Sequence, residues 1–148
     1  MLNETIRILL DRDLQKLKAE LELYTKEENI WRIDGNILNS AGNLTLHLIG
    51  NLNTYIGAEL GNTGYIRNRQ EEFSLKDVPR LELIRKLEQT IQVIDTTLPS
   101  LTQTQIDEDY PQIVFDGKMT TGYFLVHLSV HLSYHLGQVN YHRRLLDN

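Results

Sequence analysis

From Ile6 to Leu21 the residues Ile6, Leu9, Leu10, Leu14, Leu17 and Leu21 recur at spacings near three and four, with acids and bases between them. That is the period of one buried face of an α-helix, and three further segments share it. The first helix is expected over roughly residues 3 to 27, capped by Asn3 or Thr5. "WRIDGNILN" then breaks the pattern with a DG turn signal. A second helix is expected from just after Asn39 or Ser40 to about Leu60. Its glycines at 42, 50 and 57 lower its intrinsic propensity, so tertiary packing must hold it, with close backbone approach. Asp77 is expected to cap the third helix, with Pro79 in its first turn and Leu83, Ile84, Leu87, Ile91, Ile94 and Leu98 as its stripe. Thr120 or Thr121 caps the fourth, which runs to the C-terminus. The intervening loop is expected to hold an extended pair around "IVFDGK".

Four amphipathic helices with almost no strand pattern predict an all-α fold, a four-helix bundle. The polar stretch "GNTGYIRNRQEEFSLKD" is longer than a tight antiparallel turn requires, and predicts a long crossover connection between helices 2 and 3. A chain of 148 residues fits one domain spanning residues 1–148.

Composition narrows the function classes. The net charge of −5 argues against nucleic acid and anionic membrane as partners, because no basic excess is present to displace counterions. With no cysteine, disulfides, zinc–thiolate sites and a cysteine nucleophile are excluded, and any thiol must arrive with a substrate. The N-terminus carries charges every few residues, unlike a signal peptide, so a cytoplasmic location is expected.

The segment "VHLSVHLSYHLGQVNYHRR" collects four of the five histidines, His127, His131, His135 and His142. At about 100° per residue they fall within about 80° of one another on the helix wheel. Phe124, Tyr134, Gln138, Tyr141 and Leu145 share that side. Leu125, Leu128, Leu132, Leu136 and Val139 form a separate aliphatic stripe that can pack into the core. The histidine stripe is therefore an additional polar surface, and buried imidazole needs partners for both nitrogens.

Histidines at i and i+4 can share a metal ion, and a third ligand completes the usual catalytic set. His47, in the middle of the second helix, supplies it if that helix faces the fourth. By spacing both His127 with His131 and His131 with His135 qualify. Gln138, one turn from His135, favours the second pair. His142 lies about 10 Å beyond His135 along the axis, too far for the same ion. For His127 a buried or capped histidine is the plainer reading. For His142 the same reading, a buried or capped histidine bonding a backbone or carboxylate group, holds more clearly, beside Arg143 and Arg144 in a last turn where cations suit the helix dipole. Tyr134 and Tyr141 read as core or dimer packing. Asn43 and Asn51 flank His47 by one turn and could orient its ring.

"GNLTLHLIGNLNTYIG", "RNRQEEF" and "HLSYHLGQVNYHRR" resemble the DinB-like, or YfiT-like, superfamily of candidate metalloenzymes, over nearly the whole chain. The resemblance implies a four-helix bundle with a crossover after the second helix. It also implies a metal site of one histidine on the second helix and two, four apart, on the fourth. Those positions here are His47, His131 and His135. Three imidazoles suit zinc or nickel, and also iron or copper.

Some members of that superfamily use low-molecular-weight thiols and others are associated with hydrolysis. The expected function is a metal-dependent enzyme of thiol-transferase or hydrolase type acting on a small molecule, with a thiol as a candidate co-substrate. Asn43, Asn51, His127 and Gln138 would surround the ligands. Arg67 or Arg69 could contact an anionic substrate, and Glu71 or Glu72 could move a proton. For each of these four charged residues alone, a solvated loop is the plainer reading. The alternative function is a non-catalytic stress-response or binding module with a structural metal or none. A third reading is a homodimer scaffold using exposed aliphatic surface of the first or fourth helix, and a homodimer is compatible with the enzyme reading too.

Overall fold

The structure, a computed structural model, describes all 148 residues and contains helices but no strand. Four helices are long: α1 (Leu2–Leu23), α2 (Ala41–Leu52), α4 (Arg80–Thr97) and α6 (Thr121–Leu146). Two are short: α3 (Arg69–Ser74) and α5 (Gln103–Asp107). α2 continues without a break through a π-helical turn, Asn53–Ala58, and ends at Gly61.

α1 stops earlier than its pattern predicts, and Glu27–Trp31 forms a separate 3-10 turn. Neither predicted cap acts as one. Asn3 is buried, and its Nδ2 donates to the carbonyls of Leu98 and Leu101 at 2.9 and 3.3 Å. It ties the start of α1 to the end of α4. The DG signal at Asp34–Gly35 does form a tight turn, with Gly35 at φ +53° between the paired Asp34 and Ile37. The predicted pair around Asp116–Gly117 does not form. α5 occupies part of that loop instead, begun by a capping box between Thr102 and Gln105. Asp77 does not cap α4. It sits at φ +58°, and Pro79 stands at the cap position without a side-chain bond. Ser40 and Thr120 do cap α2 and α6, accepting from the amides of Asn43 and Tyr123.

Cross-helix bonds give the directions. Arg7 reaches Asp95 and Lys18 reaches Glu88, so α1 and α4 are antiparallel. Asn53 donates to Thr90, and Gly57 and Gly61 lie against Val93 and Thr97, so α2 and α4 run parallel. Glu20 takes Asn140 and Arg143, and Leu2 lies near Gly122, so α1 and α6 run parallel too. Two parallel neighbours cannot be joined by a tight turn. The 62–79 segment, including α3, is the chain's way from the end of α2 back to the start of α4.

One apolar cluster fills the interior, with Leu10, Leu14, Leu17, Leu48, Leu52, Leu87, Ile94 and Leu132 fully buried. Every residue of α2 from Ala41 to Leu52 is buried. Trp31 lies over Gly42, where a Cβ would stand 2.6 Å from the indole ring. Burying α2 on all sides forces Asn43, Thr45, His47 and Asn51 inside as well, and each needs a polar partner. The outer face of α6 is different. Tyr123, Val130, Tyr134 and Tyr141 are exposed there, so Tyr134 and Tyr141 are not core residues.

Candidate metal centre

His47 projects from the middle of α2 toward His131 and His135, one turn apart on antiparallel α6. His131 Nε2 is 3.3 Å from His47 Nε2 and 3.1 Å from His135 Nε2. The ligand-capable atoms of all three lie within 4.8 Å of one another, a group that could hold a metal ion.

The outer nitrogens explain why the inner ones converge. His47 Nδ1 lies 3.0 Å from the Glu72 carboxylate. Arg67 Nη2 is also 3.4 Å from that nitrogen, but the carboxylate is nearer and can only accept, which places the proton on Nδ1. His135 Nδ1 lies 2.7 Å from Gln138 Oε1, again an acceptor. Both rings therefore turn a bare Nε2 lone pair toward His131. A single proton on His131 Nε2 can serve only one of them. His131 Nδ1 is buried without a partner, so that ring has no bond of its own to settle its tautomer.

A cation could satisfy these facing lone pairs. Zinc–imidazole bonds of about 2.0–2.1 Å at a tetrahedral angle put two ligand nitrogens about 3.3 Å apart, close to the observed spacings. Burial, then the neighbouring imidazoles, holds His131 at a pKa of about 4. Burial likewise lowers His135, against the bond it donates to Gln138 Oε1. Both are neutral near pH 7, the form that binds a metal.

Glu72 is the residue that sequence reasoning misjudged. The solvated-loop reading fails for it, because the residue is only 5 % exposed. Arg67 grips it with Nε to Oε2 at 2.8 Å and Nη2 to Oε1 at 2.9 Å, and His47 Nδ1 shares Oε1. Burial works to raise its pKa, but the bonds from His47 and Arg67 outweigh that and carry it below the ordinary carboxylate range. Arg67 is thereby committed to Glu72 and is not solvated either. Glu71 and Arg69 are exposed, as the loop reading expects. Nothing in a charge-balanced run marks which acid will be buried.

The other candidates separate cleanly. Asn43 makes no hydrogen bond to His47. Its Nδ2 donates to the carbonyls of Glu72 and Leu75, pinning the backbone that carries the carboxylate. Asn51 lines the cavity beside the histidines, with its Oδ1 buried and unpartnered. His127 stacks on Phe124 and meets the edge of Phe115, with ring centroids at 5.9 and 4.8 Å. Its ring centroid lies 6.2 Å from that of His131. His142 is the buried, backbone-bonded histidine expected of it. It is 3 % exposed, accepts from Tyr24 Oη at 2.6 Å on Nδ1 and donates from Nε2 to the Arg32 carbonyl at 2.8 Å. Burial pushes its pKa down, so it is neutral despite its place in the last turn.

Fold and site together define an all-helical protein with a three-histidine group able to hold a metal ion. The family described as protein of unknown function, DUF1572, matches residues 4–148, and the chain belongs to that family. No functionally curated protein matches it. No helix is long and apolar enough to cross a membrane.

Proposed function

We propose that the chain is a single DinB-like domain, a four-helix bundle with its crossover between α2 and α4, working as a metal-dependent enzyme on a small molecule. His47, His131 and His135 hold a divalent ion, zinc or nickel. The observation that carries this is the convergence of three Nε2 atoms, two with their protons drawn to the far side of the ring by Glu72 and Gln138. Bound there, the ion supplies a Lewis acid that can lower the pKa of a water or a thiol, which suits a hydrolase or a thiol transferase.

The chain's own groups have distinct tasks. Glu72 keeps the His47 proton on Nδ1 and strengthens that ring as a donor. Arg67 balances the Glu72 charge in the interior. Gln138 does for His135 what Glu72 does for His47. An open ligand set supports catalysis over a structural ion, since Asn43 is spent on backbone carbonyls and His127 is packed between phenylalanines.

The test is to purify the untagged protein, measure bound metal, then strip it and record both the melting temperature and the turnover of model esters and of electrophiles with added thiols. Retained folding with lost turnover is the expected result. Unfolding on metal removal without any turnover would favour the structural module.

A further inference from the structure

We propose that the cavity beside the three histidines binds a small organic carboxylate that has a ring-sized apolar body and a hydrogen-bond donor, recognised by Arg69 and Asn51. This rests on the metal-site reading above. The cavity measures about 480 Å³, within the range of small-molecule sites. It opens onto His47 and His131, so its occupant would lie against the proposed centre.

Three observations set the ligand's chemistry. The first is an aromatic wall. Phe115 and Phe124 line the cavity with ring centroids 6.1 Å apart, and His127 extends the surface they form. A flat or branched apolar body fits such a wall. The second is charge. Arg67 and Arg69 line the cavity and no aspartate or glutamate does, in a chain whose net charge is −5. Arg67 is committed to Glu72, whereas Arg69 makes no ion pair and lies over the Phe73 ring at 5.8 Å. Its charge is the one left for a ligand.

The third is Asn51, one helical turn beyond His47. It is 7 % exposed, and its carboxamide oxygen is buried with no hydrogen bond. An orphaned buried acceptor is destabilising until something donates to it. A hydroxyl or N–H on the ligand would satisfy it. Its neighbour one turn before His47, Asn43, has all of its bonds within the protein, so the difference belongs to the cavity side of α2.

Calorimetric titration of the zinc-loaded protein with three probes tests this. 3-Phenyllactate has ring, carboxylate and hydroxyl; 3-phenylpropionate lacks the hydroxyl; 3-phenyllactamide lacks the charge. Phenyllactate should bind best, with each deletion weakening binding about tenfold, the worth of one hydrogen bond or ion pair. Asn51→Leu should erase the preference for the hydroxyl, and Arg69→Gln the preference for the acid, both with one zinc retained. Asn51→Ala replaces the leucine variant if that fails to fold. No phenyllactate binding at millimolar concentration by zinc-loaded protein overturns the proposal and leaves the metal reading standing. Preferences that survive both substitutions overturn it as well. A chain that takes up no zinc overturns the metal reading, and the same titrations on metal-free protein then decide the carboxylate site.

Discussion

The carboxylate of Glu72 lies against the α-carbon of Gly50, in the space a Cβ would occupy on any other residue. Gly50 is one turn from His47 on α2, and Glu72 comes from α3, so the missing side chain lets the acid reach the imidazole across the helix surface. The glycine that weakens α2 as an isolated helix is what brings α3 into the site.

Gly50→Ala therefore sets two effects against each other. Alanine gains about 1 kcal/mol of helix propensity, but its methyl displaces the carboxylate. Zinc affinity should fall at least ~10-fold, with helical content by circular dichroism preserved. Glu72→Gln should fall in the same range of about 10–100-fold, because the amide keeps an acceptor but loses the charge. Unchanged affinity in both would remove Glu72 from the site.

His131→Ala and His135→Ala should each abolish stoichiometric zinc, read by elemental analysis after dialysis. His127→Ala should keep it. Loss of zinc in the His127 variant would show that the wrong pair on α6 has been chosen.

Zinc should also raise thermal stability. At a free ion concentration 100 times the dissociation constant the gain is about 2.7 kcal/mol, and a concentration series in differential scanning calorimetry measures it. A melting temperature indifferent to zinc would contradict binding to the folded state.

His142 makes a pH prediction. Its folded pKa lies below the ordinary value of 6.5, so as pH falls the unfolded chain takes the proton first. Stability is thus full above about 6.5 and declines below it. His142→Leu strands the Tyr24 hydroxyl and the Arg32 carbonyl, and should cost about 2–3 kcal/mol in urea unfolding. Measured with saturating zinc, which keeps the other buried imidazoles neutral, the variant should lose less stability than the parent between pH 7 and 5. An equal slope would mean His142 does not titrate on unfolding.

Asn3→Ala should cost about 1 kcal/mol, since it takes the side-chain donor from the Leu101 carbonyl and from that of Leu98, which keeps the Leu101 amide. Thr5→Ala, at the rival cap position on the exposed side of α1, should change stability by less than ~0.5 kcal/mol.

Much of this protein is legible in its sequence. Periodicity marks the four long helices, because an apolar stripe at spacings of three and four has one way to be buried. The caps are readable to within a residue, Asn39 or Ser40 and Thr120 or Thr121, because a short polar side chain before an apolar run satisfies amides within the same turn; Ser40 and Thr120 take the role. His131, His135 and Gln138 share a face by helix geometry alone, with no knowledge of the rest of the fold.

What lay beyond the sequence depends on segments distant along the chain. Asn3 serves Leu98 and Leu101 rather than its own helix, and His142 is neutral because Tyr24 and Arg32 enclose it. Glu72 and Glu71 are adjacent and chemically alike. Only the packing of α3 on Gly50 puts one into the interior and leaves the other in solvent. Local pattern reports what a residue can do within a turn or two, whereas desolvation and long-range hydrogen bonds decide what it does, and those exist only once the helices have met.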